Sequence, residues 1–398
     1  MSPRRIPDEI LLQLGSVYIL QLSSKFNDQI PPPATPMTMT SPANTEVLLR
    51  LYSNTACGLE AISGDAFGFS LTSLGDVNED GVHELAIGIP YRRSPIYQFA
   101  DAGAVCIVSF HMAHTALHVE SSSVITLDTM EGAETPALKK LQQPQSHFGC
   151  AVASVGDLNQ DGVCDLAASA CGVDDSAGAV LILLLSAVGD VISVHVLSPS
   201  TEGGEGSSFA VPRLFLPLGD ARLLGFGTAL SAIGDLDRDG VTELVMSVSS
   251  QRGLVIAHLE RDGTLRSAQP MRYENQTVVR VVARALSALS DVSGDAIPDL
   301  AVGGFGKVGI LMMEAQGRVA GEEALHVGAD ALFQGLDELD VGEGTYFGNA
   351  LALSQDLNGD FTIDLAVGAY GQRDTFQGAV YVLNLRPGQG TLMKTSDA

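Results

Sequence analysis

Short apolar runs recur along the chain in a constant order, with acidic stretches between them. One run (Ala151 to Val155, Ala229 to Ile233, Ala350 to Leu353) leads into an acidic stretch of nine residues. A second run follows at once, as at Leu85 to Ile89, Leu300 to Val302 and Leu365 to Val367. After a loop of variable length comes a third: "GAVCIV" from Gly103, "GAVLIL" from Gly178, "GLVIAH" from Gly253, "KVGILM" from Lys307 and "GAVYVL" from Gly378. A fourth follows, in one copy through the tight turn of "LERDGTLRS" from Leu259. Val, Ile, Leu and Ala runs bounded by Gly and Asp predict strands. Their continuous apolarity predicts strands covered on both faces.

The acidic stretches begin at Asp76, Asp157, Asp235, Asp291 and Asp356, so successive copies are 81, 78, 56 and 65 residues apart. A period that long, holding four strands, is that of a propeller blade and not of a helical solenoid. The predicted fold is an all-β β-propeller of four-stranded antiparallel blades, with repeats at 67–147, 148–225, 226–281, 282–346 and 347–398. Residues 1–66 predict a partial sixth blade. "IPDEILLQLGSVYIL" from Ile6 aligns without a gap on "IPDLAVGGFGKVGIL" from Ile297, just past the point where an acidic loop belongs. Arg4 and Arg5 stand there instead, so the sequence reads as truncated, and Ile10 to Ser53 should form a three-stranded outer sheet. The Pro/Thr-rich stretch 31–45 reads as an extended loop within that blade.

Within each acidic stretch the pattern D-x-[DNS]-x-D places oxygen donors at alternate positions of a tight loop, which lets them converge on one point. A hard cation such as calcium takes six to eight oxygens from carboxylates, amides and backbone carbonyls. The first loop offers Asp76, Asn78, Asp80, the carbonyl of Val82, and Glu84; the second offers Asp157, Asn159, Asp161, Val163 and Asp165. The third offers Asp235, Asp237, Asp239, Val241 and Glu243, and is the most acidic. The fourth has Asp291, Ser293, Asp295, Ile297 and Asp299, with only a hydroxyl at position 3, which makes it the weakest. The fifth has Asp356, Asn358, Asp360, Thr362 and Asp364. Gly81, Gly162 and Gly240 hold position 6, where the loop turns sharply; in the last two copies Gly294 and Gly359 stand at position 4 instead. An EF-hand needs Glu at position 12. Here that position is Ile87, Ala168, Met246, Val302 and Val367, which excludes one. Up to five Ca²⁺ ions are expected.

Composition agrees. Of 398 residues, 47 are acidic and 22 basic, a formal charge of −25, which argues against nucleic acid or an anionic membrane as partner. No apolar run has the length of a membrane helix, so no membrane insertion is expected of this chain. Acidic and polar residues (Asp8, Glu9, Gln13, Gln21) break up the N-terminal leucines, leaving no secure signal peptide. The five cysteines (Cys57, Cys106, Cys150, Cys164, Cys171) form no C-x-x-C pair and read as buried small apolar residues ahead of a single disulfide.

The Phe-Gly pairs Phe67-Gly68, Phe148-Gly149, Phe226-Gly227 and Phe347-Gly348, the acidic loops, and the degenerate Gly88-Ile89-Pro90 and Gly368-Ala369-Tyr370 resemble the FG-GAP repeats of the integrin alpha-subunit propeller. The fourth copy has Val282-Ala283 in place of Phe-Gly, and "ASAC" from Ala168 replaces Gly-Ala-Pro in the second. The resemblance implies calcium in hairpin loops on one face of a blade ring, an extracellular or cell-surface setting, and a protein ligand. The expected function is non-enzymatic recognition or adhesion. Two alternatives stand beside it: a lectin-like propeller with a glycan ligand, and the accessory propeller of a larger hydrolase such as a glycosylphosphatidylinositol-specific phospholipase D.

Other chemistry is sparse. "HMAHTALH" places His111, His114 and His118 on one face if helical, a spacing that suits zinc. It falls between the third and fourth runs, where a solvated loop is the plainer expectation. No G-x-S-x-G, H-E-x-x-H or P-loop occurs. Asn275-Gln276-Thr277 is an N-glycosylation sequon, in keeping with a secreted glycoprotein.

Overall fold

In a computed structural model, the residues described are 16–22, 45–60, 64–114, 116–130, 136–198, 225–248, 253–271, 283–304, 306–326, 346–354, 363–369 and 379–385. Strands β1 (Val17–Leu22) and β2 (Thr45–Leu51) pair with each other. Four sheets of four strands follow, each laid down in chain order. They comprise β3 (Ser70–Gly75), β4 (Glu84–Ile89), β5 (Ala104–Ala113) and β6 (Ala116–Ile125); then β7 (Phe148–Gly156), β8 (Asp165–Ala170), β9 (Ala179–Leu185) and β10 (Val191–Leu197). Next come β11 (Phe226–Gly234), β12 (Glu243–Val248), β13 (Gly253–Leu259) and β14 (Leu265–Pro270); then β15 (Ala285–Ala288), β16 (Leu300–Gly304), β17 (Lys307–Glu314) and β18 (Arg318–His326). The last sheet holds β19 (Ala350–Leu353), β20 (Asp364–Ala369) and β21 (Ala379–Asn384). Its expected fourth strand lies outside the described residues, as do the strand expected before β1, most of stretch 31–45, and the Asn275 sequon. Among the described residues α-helix is confined to segments of four, six and four residues, with one 3-10 turn at Ala315–Gly317. The fold is the expected β-propeller of antiparallel blades.

Packing divides the chain into two units. The first includes the β3–β6 and β7–β10 sheets, and the second includes β15–β18 and β19–β21. In the first unit every residue of β8 and β9 is buried, whereas the edge strand β6 is largely exposed and polar. This is why the middle strands are continuously apolar and the exposed edge strand β6 is not. Leu74, Ala86, Val105 and Ile107 of one sheet form a common core with Phe148, Leu166, Leu181 and Leu183 of the next. In the second unit Ala301, Val308 and Ile310 do the same with Phe347, Leu365 and Val367. Val17 and Leu51 of the small β1–β2 sheet pack on Ile87, Cys106 and Val108.

The Phe-Gly pair is the joint between consecutive blades. Phe148, Phe226 and Phe347 are fully buried. The Phe148 amide donates to the Ala102 carbonyl of the preceding blade at 3.0 Å, and Phe226 repeats the contact with Ala177 at 3.0 Å. The glycine of the Gly-Ala-Pro element then lies flat against the glycine of the next Phe-Gly pair. A Cβ on Gly88 would stand 2.0 Å from the Gly149 carbonyl oxygen, and one on Gly303 would stand 2.2 Å from that of Gly348. In the second repeat, where "ASAC" interrupts the pattern, the buried Ser169 hydroxyl donates to the Gly227 carbonyl at 2.6 Å.

Two expectations are corrected. Four of the five cysteines form two disulfides, Cys57–Cys106 and Cys150–Cys171, with Cys164 free. The partners are 49 and 21 residues apart in sequence and meet only because strands and their flanking loops bring them together. The histidines of "HMAHTALH" lie neither on a helix nor in a long loop. β5 and β6 are ten residues each and carry His111 and His118 within their pairing, with His114 at the turn.

Candidate metal centre

Each described acidic loop joins the first and second strands of a blade, and each is built the same way. The position-1 aspartate turns back over the loop and accepts two backbone amides. In the first loop Asp76 Oδ1 accepts from Asp80 at 2.9 Å and Oδ2 from Gly81 at 2.8 Å. Asp157 takes Asp161 and Gly162, Asp235 takes Asp239 and Gly240, and Asp291 takes Asp295 and Ala296. The position-5 aspartate accepts the amide of position 7: Val82 to Asp80 at 2.8 Å, Val163 to Asp161 at 2.9 Å, Val241 to Asp239 at 2.8 Å and Ile297 to Asp295 at 2.9 Å. Asn78 and Asn159 accept the same position-5 amides and donate to the Asp80 and Asp161 carboxylates.

The loop conformation explains the wandering glycine. Positions 4 and 6 are both left-handed: Glu79, Gln160 and Arg238 have φ of 62°, 62° and 63°, and Gly81, Gly162 and Gly240 have 86°, 91° and 85°. In the fourth loop Gly294 takes position 4 at 88° and Ala296 takes position 6 at 67°. Either site relieves one strained residue, so moving the glycine preserves the loop.

Position 9 enters the second strand and is buried: Glu84 is 2% exposed, and Asp165, Glu243, Asp299 and Asp364 are fully enclosed. Its carboxylate accepts the amide of position 2, from Val77 (2.7 Å), Leu158 (2.9 Å), Leu236 (2.5 Å) and Val292 (2.8 Å). Those four residues are themselves buried. This apolar anchor was not singled out from sequence, although an apolar residue between the first two donors of every copy was the available sign.

At position 9, Asp165 and Asp299 differ from Glu84. Asp165 also accepts from Leu185 in β9 at 2.9 Å, and Asp299 from Ser293 and from Met313 in β17, both at 2.8 Å. Both oxygens of each aspartate are thereby engaged. Glu84, one methylene longer, binds only the Val77 amide, and its buried Oε1 has no hydrogen-bond partner among the described residues. Burial pushes the Glu84 carboxyl up, against the Val77 amide, and neighbouring Asp80 and Asp76 push the same way. Burial likewise raises Asp165 to about 6 and raises Asp299, despite their amide bonds. At Asp291 burial is outweighed by the amides of Ala296, Gly294 and Asp295, and the carboxyl is lowered.

Oxygen-only donors, alternating along a preformed loop and including a buried carboxylate oxygen without a partner, fit a hard cation. The third loop fits best: one oxygen each from Asp235, Asp237, Asp239 and Glu243 lies within 4.8 Å of the others. Among the described residues, the three-carboxylate loops do not converge so far. In the fifth loop Asp364 is placed, while Asp356, Asn358, Asp360 and Thr362 lie outside the described residues.

The family described as FG-GAP repeat matches residues 347–383. Human integrin alpha-D is 28% identical over 222 residues, covering 56% of this chain and 16% of that protein. Mouse integrin alpha-IIb is 31% identical over 183 residues, covering 45% and 14%. The chain therefore matches less than a fifth of the length of either relative. Among solved structures, a putative 6-phosphogluconolactonase from Bacteroides uniformis aligns over 90% of this chain and 80% of its own at a TM-score of 0.44 and 11% identity, a likeness too slight to bear on function. Repeated acidic loops, Phe-Gly joints and integrin relatives converge: this chain is a β-propeller that resembles the FG-GAP propeller of integrin alpha subunits and carries a matching FG-GAP repeat at 347–383.

Proposed function

We propose that this propeller is a non-enzymatic, calcium-binding recognition module that binds an extracellular protein ligand in adhesion. The observation that carries the calcium reading is the buried, unpartnered Oε1 of Glu84 at the end of a preformed loop of oxygen donors. Asp76, Asn78, Asp80, Val82 and Glu84 would hold one ion, and the corresponding residues of the other loops would hold theirs. The ion supplies positive charge among crowded carboxylates, whose repulsion otherwise opposes the folded hairpin. We place the first and third loops ahead of the second and fourth: the first has the unpartnered Oε1 of Glu84, and the third gathers one oxygen each from Asp235, Asp237, Asp239 and Glu243 within 4.8 Å.

The recognition role rests on the likeness to integrin alpha-D and alpha-IIb. Two disulfides support an oxidising, extracellular setting. If affinities match extracellular modules, with dissociation constants of about 0.1–1 mM, millimolar calcium adds about 0.4–1.4 kcal/mol per occupied site. Thermal melting in chelator and in excess calcium tests this. The melting temperature should rise with calcium and fall back on chelation, and Asp237→Ala should remove one site's share while Asp190→Ala, outside the loops, should not. Superimposable melts in the two conditions would refute the metal assignment.

A further inference from the structure

We propose that the β5–β6 hairpin carries a separate metal site, a two-imidazole chelate for a late first-row transition-metal dication, formed by His111 and His118. The two residues are direct register partners across antiparallel strands. Their ring centroids are 5.5 Å apart and their planes 23° from parallel. Directly opposed residues in such a pair have Cβ atoms about 4.5–5.5 Å apart, so the backbone holds the rings together at no further cost in chain order. Both side chains are exposed, and neither ring is engaged by a hydrogen bond among the described residues. Toward the turn, the next register pair on the same side is Ala113 and Ala116, too small to obstruct approach.

Imidazole suits zinc, copper and nickel, and affinity for such donors rises toward copper(II). With metal–nitrogen bonds of 2.0–2.1 Å, two ligating nitrogens sit about 3.3 Å apart in a tetrahedral site, within reach of these paired rings by side-chain rotation alone. The formal charge of −25 raises the local concentration of any dication. Calcium does not compete, because it selects oxygen donors. The site is thus independent of the acidic loops. His114 takes no part, since it sits at the turn with φ of 60°, outside the register pairing.

The test is titration of the full chain with copper(II), in excess calcium so that the acidic loops are already filled. Isothermal calorimetry gives the affinity of the first equivalent, and electron paramagnetic resonance reports its nitrogen couplings. The expected result is one tight equivalent showing two imidazole nitrogens. His111→Ala or His118→Ala leaves a single ligand and loses the effective-concentration gain of the second, weakening binding roughly 100-fold or more. His114→Ala should leave the affinity unchanged. A loss below about tenfold in either paired-histidine variant, or an equal loss in His114→Ala, overturns the proposal.

Discussion

Gly103 tests whether the Phe-Gly joint depends on close backbone approach or only on burial of the phenylalanine. Its φ is 87°, and a Cβ placed there would meet the Phe148 carbonyl oxygen at 2.1 Å and the Phe148 nitrogen at 2.3 Å. Both are backbone atoms, so no side-chain rotation relieves the contact. Gly64 has nearly the same φ, 89°, with nothing within 4 Å of its Cβ position. Alanine at Gly64 therefore carries only the left-handed penalty, about 1–2 kcal/mol. Alanine at Gly103 carries the same penalty plus an overpacking cost of about 1–3 kcal/mol, as the two blades separate. Urea unfolding of the two variants in chelator, where metal occupancy plays no part, should place Gly103→Ala below Gly64→Ala by that second amount. Amide exchange at Phe148, bonded to Ala102, should accelerate in Gly103→Ala alone. Equal destabilisation by the two substitutions would refute the joint as described.

Ser169→Ala should cost about 1–2 kcal/mol in the same assay, because the Gly227 carbonyl loses its buried donor; Ser169→Thr, which keeps a hydroxyl, should retain more of the stability. Opening the Cys150–Cys171 bridge by paired serine substitution frees a 21-residue loop in the unfolded chain, and opening Cys57–Cys106 frees one of 49. Loop-closure entropy puts these losses at about 3 and 4 kcal/mol, so reductant should lower the wild-type melting temperature and leave a variant lacking both bridges unmoved.

The repeat was legible because each blade repeats one demand: a tight acidic turn, then two middle strands covered on both faces. Continuous runs such as that from Ala179 announce such strands from sequence alone. Features depending on what lies beside a strand were not legible. Cys57 and Cys106 carry no spacing motif, and their pairing follows from the packing of the segment after β2 on β5. The histidines show how a local pattern misleads. Spacings of three and four between His111, His114 and His118 read as a helical face, whereas the ladder runs through "HMAHTALH" and folds it about the turn. A hairpin with its turn between Ala113 and Ala116 pairs residues whose numbers sum to a constant, and 111 with 118 satisfies that sum as well as helical spacing does.

Position 9 is where reading donors along a line fell furthest short of the structure. In sequence, Glu84, Asp165, Glu243 and Asp299 are equivalent carboxylates closing a ligand set. In the fold they begin as structural groups: each is buried at the start of the second strand and binds the amide of an apolar anchor at position 2. Asp165 and Asp299 continue to the third strand, where the amides of Leu185 and Met313 complete them, so they tie loop to sheet whether or not an ion is present. Glu84 overshoots its amide by one methylene and leaves a buried oxygen without a partner. Enclosing a carboxylate oxygen without a hydrogen bond is costly unless positive charge reaches it. The loop ahead of it supplies no cation, since its nearby charges, Asp76 and Asp80, have the same sign. One methylene thus separates a carboxylate that the fold satisfies from one that the fold leaves in need of a cation.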